Sequence, residues 1–176
     1  MVVLITTSRR PTKRINRLAK ELSWVFPNSI KINRGKRSLK DLIDFMIKKG
    51  YTKLLIIEGR KGNPRNIKFF SLSYEGLIKY MTIELLGLSL QIDKGMNKKL
   101  KTLSIEDDGL PRSREIKECI VNFLGSEYLI DPRREGINGK MMIRSIEDLL
   151  LIEFYDIYGR DIYPKLRVGK CIVNIE

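Results

Sequence analysis

Short apolar runs alternate with amphipathic segments through the first part of the chain. Residues 2–6 and 53–57 are β-branched, apolar runs typical of buried strands, and residues 29–33 form a shorter one. Between them, apolar positions recur at helical spacing over residues 15–26 and 39–47, which predicts two helices with one apolar face each. Pro11 suits a first helical turn, and Ser38 with Asp41 has capping-box spacing. The pattern predicts a β-α-β-α-β unit.

The remainder of the chain continues with strand and helix signals in a similar order. The predicted segments are a loop over 59–66, a returning hairpin strand over 67–72, a strand over 80–91 bent at Gly87, a flexible basic link over 94–101, a strand over 103–106, a helix opened by Pro111, a short strand over 128–130, and a closing ribbon over 151–158 and 165–175. Residues 144–150 repeat the residue pattern of 37–43, which would make the second half a repeat of the first. This order predicts an α/β fold, a mixed sheet with helices packed on it.

Positive charge is concentrated in the same N-terminal part. Residues 1–70 contain 18 Lys and Arg against 4 Asp and Glu, a local net charge of +14, whereas the remaining residues contain 16 against 17. Folding does not require such an imbalance, because repulsion between like charges destabilises the compact state. A folded, basic half therefore predicts a polyanionic partner, with nucleic acid as the first candidate.

Composition narrows the chemistry further. The chain has no histidine, the residue that general acid–base catalysis and zinc sites use most often. Cys119 and Cys171 are far apart and form no thiol metal motif, so we expect two reduced, buried thiols. We expect no enzymatic activity, no cofactor and no metal site. No apolar run approaches the roughly 20 residues that span a bilayer, and no signal peptide is evident, so we expect a cytoplasmic protein that does not contact membrane.

We expect three basic segments to lie near one another: residues 6–17, 34–37 and 60–65, of which the first and third come just after the ends of predicted strands. Ligands of open α/β sheets commonly bind where strands end, and a helix start offers free N–H groups to phosphate. A simpler interpretation is that the Ser8 and Thr12 hydroxyls only cap a helix whose Lys and Arg side chains are solvated. That would account for the hydroxyls, but not for the local net charge of +14. The predicted RNA-binding residues are Thr7, Ser8, Arg9, Arg10, Lys13, Arg14, Arg17, Arg34, Lys36, Arg37, Arg60, Lys61, Asn63 and Arg65.

Other candidate motifs are weaker. Residues 59–65 lack the Gly-Lys-Ser/Thr ending of a P-loop and precede a strand, which argues against nucleotide hydrolysis. Asp107 and Asp108 would point to opposite faces of a strand, so a loop or helix-capping role is favoured over metal binding. The aromatic residues Tyr51, Phe69, Phe70, Tyr74 and Tyr80 lie in strand-like segments, which favours core positions over base stacking, and Trp24 is expected to be partly buried.

The N-terminal half resembles the Brix domain family, in particular its short archaeal Imp4-like members. The likeness is carried by the runs Leu4-Ile5-Thr6-Thr7-Ser8-Arg9-Arg10-Pro11, Phe26-Pro27-Asn28, Asn33-Arg34-Gly35 and Leu54-Leu55-Ile56-Ile57-Glu58 followed by Gly59-Arg60-Lys61-Gly62-Asn63-Pro64, in matching order and spacing. The resemblance implies a single Brix domain over residues 1–176, with a basic N-terminal half over 1–93 and a C-terminal half over 102–176. Each half would resemble the anticodon-binding domain of class II aminoacyl-tRNA synthetases.

The resemblance also implies a function. It points to a non-catalytic ribosome-biogenesis factor in rRNA processing or small-subunit assembly, bound to rRNA, pre-rRNA or a guide RNA, with ribosome-assembly proteins as further partners. Two alternatives stay open: a tRNA- or anticodon-binding module, and a scaffold that binds acidic protein within a ribonucleoprotein. A nuclease or methyltransferase would need convergent carboxylates or a cofactor glycine loop, and the sequence offers neither. Nothing in the sequence fixes the oligomeric state.

Overall fold

A computed structural model describes residues 2–125 and 138–174. Strands and helices alternate as the apolar pattern predicts in the first half, and the predicted strand over 128–130 lies outside the described residues. The elements are β1 (Val3–Thr7), α1 (Lys13–Val25), β2 (Ser29–Lys31), α2 (Leu39–Lys49), β3 (Lys53–Arg60), β4 (Asn63–Ser73), β5 (Gly76–Ser89), a 3₁₀ turn (Ile92–Lys94), β6 (Ser104–Asp107), α3 (Pro111–Leu124), β7 (Gly139–Ile146), β8 (Leu149–Asp156) and β9 (Asp161–Val173).

The described strands form one mixed sheet in the order β2-β1-β3-β4-β5-β9-β8-β7-β6. In the first half β1 runs parallel to β2 and β3, and in the second half β6 runs parallel to β7. The other pairs are antiparallel, including β5 with β9, which joins the halves at the centre of the sheet. The order β1-β3-β4-β5 is therefore mirrored by β6-β7-β8-β9. The predicted mixed sheet with helices packed on it is confirmed, and the likeness of each half to an anticodon-binding domain stays a prediction.

The two faces of the sheet are covered differently. The apolar sides of α1 and α3 pack with alternate strand residues into one continuous core that crosses from one half to the other. Within it, Phe123 of α3 meets Phe69 of β4 edge to face, at 5.1 Å between ring centroids. The opposite face of the first half carries α2, which buries Leu42 and Met46 against Leu4, Leu54 and Ile56. Because one core spans both halves, each depends on the other for burial.

Helix ends follow the sequence closely, with one correction. Ser38 and Asp41 form the predicted capping box of α2, and Gly50 ends that helix in the left-handed conformation. Pro111 occupies the first position of α3 as expected. Pro11, however, lies before α1 and not within its first turn, because Thr12 is the residue that caps the helix.

Three further expectations are corrected by the structure. The pattern over 144–150 forms the end of β7, a turn and the start of β8, so it does not repeat the capped helix α2. The loop expected over 59–66 shrinks to a two-residue turn, in which Lys61 and Gly62 both have positive φ, as a type I′ hairpin requires. Ile47 was expected on the apolar face of α2 but is 64% exposed, because α2 contacts the sheet through a narrower stripe.

Candidate nucleic-acid interface

The three parallel strands of the first half bring the predicted basic segments to one edge of the sheet. β1 ends at Thr7, β2 at Lys31 and β3 at Arg60, and β1 pairs in parallel with both neighbours. Because parallel strands share a direction, the loops that follow them emerge at the same edge. This edge, with residues 8–13, 34–37 and 60–65, is called the strand-end surface below.

Direct contacts join the first and third basic segments. The Thr12 hydroxyl caps α1 by accepting from the Ile15 backbone N–H at 3.4 Å, and it donates to the Gly62 carbonyl at 2.7 Å. Gly59 leaves no room for a side chain, since a Cβ there would lie 2.2 Å from Ile15 Cδ1 and 2.9 Å from the Asn63 carbonyl oxygen. The start of α1 and the β3–β4 hairpin are therefore held against each other, and their cations stand side by side.

The second basic segment folds on itself beside β1. Arg34 Nε donates to the Arg37 carbonyl at 3.2 Å, and Arg37 Nη1 donates to the Asn33 carbonyl at 2.7 Å. Burial lowers the pKa of the Arg34 guanidinium, and the nearby charge of Arg9 lowers it further, whereas Glu58 acts in the opposite direction. Carbonyl groups orient these guanidinium groups without neutralising them, so their positive charge stays available to an anion.

The strand-end surface carries a set of cations that make no ion pair or side-chain hydrogen bond with any described residue. All of them are exposed, and they come from all three segments. They are Arg9, Arg10, Lys13, Lys36, Arg60 and Lys61. Because the free N–H groups at the start of α1 also lie there, this edge is suited to binding phosphate groups.

Three of the predicted RNA-binding arginines are instead paired with acids. Arg14 meets Asp93 at 3.3 Å, Arg17 Nε donates to Glu21 at 2.6 Å, and Arg65 meets Glu84 at 2.5 Å. Each pair fixes its guanidinium and cancels part of its charge. These arginines are thus held in place at the border of the surface, where their N–H groups can donate to a ligand. Because each is paired with an acid, they add less net positive charge than the sequence predicts.

The predicted hydroxyl and amide donors have different surroundings. Thr7 is 1% exposed and its hydroxyl donates to the Ser8 carbonyl at 3.0 Å, so the structure contradicts its predicted role as a phosphate ligand. Thr7 is the last residue of β1, and all of β1 is buried because α1 covers one face of the sheet here and α2 covers the other. Ser8 is partly exposed and Asn63 is exposed, so both stay accessible on the surface.

A cleft of about 500 Å³ lies where α1, the β3–β4 hairpin and the bend of β5 meet. Its walls include Arg14, Arg60, Lys61 and Arg65, and its lining is completed by residues 85–88. The bend itself arises where β5 shifts register against β9 around Leu85 and Gly87, close to the position predicted from the sequence. Cationic walls beside leucine side chains can hold a phosphate next to a sugar or base.

Several partners on this surface were not found by sequence reasoning. Asp93 pairs with Arg14 across 79 residues of sequence, and Glu84 pairs with Arg65 across 19. A single sequence does not indicate such long-range contacts. The Arg17–Glu21 pair has the i, i+4 spacing of a helical ion pair and was therefore detectable.

The acidic candidates serve the fold. Asp107 accepts from the Gly109 N–H at 2.7 Å and from Lys117 at 2.8 Å, which agrees with the loop role that the sequence favoured. Among residues 2–125 and 138–174, no group of three or more His, Cys, Asp or Glu side chains is placed to hold a metal ion. No described helix is long and apolar enough to cross a membrane.

Comparison with known proteins places these features in context. No family model matches the chain. It is 41% identical over 96 residues to a probable Brix domain-containing ribosomal biogenesis protein of Thermococcus kodakarensis, which covers 53% of this chain and 45% of that protein. It is 35% identical over 65 residues to the U3 small nucleolar ribonucleoprotein protein Imp4 of Saccharomyces cerevisiae, which covers 37% of this chain and 22% of that protein.

Two solved structures share the fold over nearly the whole chain. A probable ribosomal biogenesis protein from Aeropyrum pernix superposes with a TM-score of 0.82 at 23% identity, covering 96% of each chain. An archaeal Imp4-like protein superposes with a TM-score of 0.70 at 26% identity, covering 98% of this chain and all of that one. The chain spans about half the length of the archaeal relatives it matches in sequence. These similarities confirm the resemblance that the N-terminal motifs predict.

Proposed function

We propose that this relative of the archaeal Brix-domain proteins is a ribosome-biogenesis factor without enzymatic activity, and that it binds structured rRNA or pre-rRNA. The relatives are named as ribosomal biogenesis or small nucleolar ribonucleoprotein proteins, and these names support a role in ribosome biogenesis. The single observation that carries the RNA contact is the group of unpaired cations on the strand-end surface. Guide RNA and ribosome-assembly proteins are proposed as further partners within the same particle.

The binding mode follows from the geometry of that surface. Its cations stand on backbone fixed by the sheet, the α1 cap and the hairpin turn, so little conformational entropy is lost when they meet phosphate. Lys and Arg that neutralise phosphates release counterions, and that release is the main sequence-independent source of affinity. We propose that Ser8, Arg9, Arg10, Lys13, Arg34, Lys36, Arg37, Arg60, Lys61 and Asn63 form the contact, with Arg14, Arg17 and Arg65 at its border.

The test compares two double charge reversals at exposed positions. R9E/R10E changes the strand-end surface, and K48E/K49E changes the last turn of α2, on the other face of the sheet. For an rRNA fragment, we expect R9E/R10E to weaken binding by about 1–3 kcal/mol, since each arginine contributes charge-assisted hydrogen bonds. We expect K48E/K49E to have a much smaller effect, measured by fluorescence anisotropy on variants whose circular dichroism matches the wild type.

Salt dependence and copurified RNA complete this test. About four to six phosphate contacts predict a slope of log affinity against log salt near −3 to −5. The proposed surface would be refuted if R9E/R10E and K48E/K49E lost RNA affinity equally, or if affinity did not depend on salt concentration. Crosslinking and sequencing of RNA bound in cells should recover precursor rRNA, whereas recovery of mature tRNA would support the tRNA-binding alternative.

A further inference from the structure

A second cationic pocket lies further along α1, around Trp24. Three cations surround its indole ring: Arg17 Cζ lies 4.9 Å, Lys20 Nζ 5.3 Å and Lys99 Nζ 5.8 Å from the ring centroid. Together with residues 95–97 they line a depression of about 410 Å³. Trp24 itself is only 9% exposed, so the ring supports the cations through cation–π contact and offers little face to a base.

The segment that supplies Lys99 is held in place, which corrects the expectation of a flexible link. The buried Gln91 side chain donates to the Lys98 carbonyl at 2.9 Å and accepts from the Lys98 N–H at 2.6 Å. The Leu100 N–H donates to the Trp24 carbonyl at 2.7 Å, and the Leu100 side chain is 7% exposed. Lys99 therefore stands between two anchored residues, and little backbone entropy is lost when it binds an anion.

The charges in this pocket are only partly balanced. Glu21, which is fully buried, accepts from Arg17 and so compensates one cation. Lys20 and Lys99 form no ion pair with any residue in the described parts of the chain. Lys31 of β2 lies outside the pocket lining but close enough to interact with Lys20: burial lowers the pKa of the Lys31 ammonium, and the positive charge of Lys20 lowers it further. Like charges at such short range repel one another, and a bound anion would relieve the repulsion.

We propose that the Trp24 pocket is a second phosphate-binding site for the same RNA, so that the link between the halves belongs to the interface. This inference rests on the proposed function and extends it along α1. Lys13 and Lys20 are seven helical positions apart, about 10 Å. A nucleic-acid strand covers that distance in about three nucleotides at about 3.4 Å each. The Trp24 pocket is continuous with the unpaired cations of the strand-end surface, and this continuity favours RNA over an acidic protein segment as its ligand.

Trp24 is the only tryptophan in the chain, so its fluorescence reports on this pocket alone. Titration with the rRNA fragment that tests the strand-end surface should change Trp24 emission with the midpoint that anisotropy gives for binding. K20A/K99A should weaken binding by about three- to tenfold and reduce the salt slope by about 1 to 2, as expected for two lost phosphate contacts. The matched control K48A/K49A removes two exposed lysines from α2 and should leave all these quantities close to wild type.

The outcomes separate this inference from the proposed function. If the wild type binds RNA and R9E/R10E weakens it, but Trp24 emission stays constant and K20A/K99A matches K48A/K49A, the second site is wrong and the strand-end surface stands. If a polyglutamate peptide changes Trp24 emission and RNA does not, the pocket takes protein carboxylates and the RNA assignment is overturned. If the wild type binds no RNA in either measurement, both proposals fail.

Discussion

Two strand–helix units occupy equivalent positions in the sheet and use their polar residues in opposite ways. β1 with α1 and β6 with α3 each join a parallel strand pair to a helix on the same face, one in each half. After β1 the chain continues as Ser8-Arg9-Arg10-Pro11-Thr12, and after β6 it continues as Asp108-Gly109-Leu110-Pro111. The same architecture therefore carries a basic turn in one half and an acidic turn in the other.

The carboxylate of the acidic turn forms its hydrogen bonds within the fold. The Asp108 carboxylate accepts from the Leu110 N–H at 3.1 Å, from the Ser145 N–H at 2.7 Å and from the Ser113 hydroxyl. At the basic turn, the side chains of Arg9 and Arg10 have no such partner among the described residues. Polar groups that bond within the fold stabilise it, whereas unpaired cations add repulsion and are useful only with a ligand. Shared topology thus says little about function, which depends on the side chains at each site.

The helices also differ in how they are anchored. α3 buries Ile116, Ile120 and Phe123 in the core. α1 buries an apolar face too, but it adds the fully buried carboxylate of Glu21, which accepts from the backbone N–H groups of Gln91 at 2.5 Å and Ile92 at 3.2 Å. Through Glu21, α1 is tied to the end of β5 and to the link between the halves.

The largest effect is therefore expected at this anchor. E21A would leave two backbone N–H groups and the Arg17 guanidinium without their acceptor, which should lower the free energy of unfolding by about 2–4 kcal/mol. Urea denaturation followed by circular dichroism measures the change. E118A, an exposed-face glutamate of α3, is the control and should change stability by less than about 0.5 kcal/mol. Similar losses for the two variants would show that Glu21 is not a structural anchor.

A smaller, paired effect should separate the two turns. D108A removes an acceptor of three hydrogen bonds at an exposed turn, and by analogy with a lost helix cap it should cost about 1 kcal/mol of stability. RNA affinity should stay within about twofold, because the acidic turn lies outside the proposed contact. R9A/R10A should show the reverse, with stability unchanged and RNA affinity reduced. Loss of both properties in either variant would break the comparison between a structural turn and a binding turn.

The smallest effect concerns acid stability. The hydrogen bond from Lys117 lowers the pKa of Asp107 against an opposing effect of burial. Burial acts to raise the pKa of Asp108, but hydrogen bonds from the Ser113 hydroxyl and from three backbone N–H groups outweigh it and lower that pKa. A carboxyl with a depressed folded-state pKa stabilises the protein above its unfolded pKa of about 3.9, and this stability is lost as pH falls through the folded value.

In D107N/D108N, the urea midpoint should accordingly fall less steeply with decreasing pH below about pH 4 than it does in the wild type. Urea denaturation measured across that pH range tests this. R9A/R10A should keep nearly the wild-type slope, because neither arginine contributes to the lowered pKa of Asp107 or Asp108. The residual slope in D107N/D108N should come from other carboxyls with lowered pKa values, such as Asp93 and Asp156. An unchanged slope in D107N/D108N would contradict the assignment.

Much of the first half was determined by the sequence alone, because its signals are local. Apolar periodicity predicted β1, α1, β2, α2 and β3 to within a few residues, and the capping box of α2 was readable from Ser38 and Asp41. The concentration of cations in three segments after strands was also visible, and parallel pairing brings those segments to one edge. The RNA-binding role itself stays a prediction.

Tertiary structure alone decided which of those cations are free. Arg14 and Arg65 are paired because the fold brings Asp93 and Glu84 to them, and Lys99 is fixed because Gln91 and Trp24 hold the link. It also decided that residues 144–150 form a hairpin although they share the pattern of a capped helix, since the Ser145 N–H bonds Asp108 and the segment pairs within the sheet. A local pattern gives each segment its propensity, but contacts between distant segments determine which charges are neutralised, which residues are buried and which remain available to a ligand.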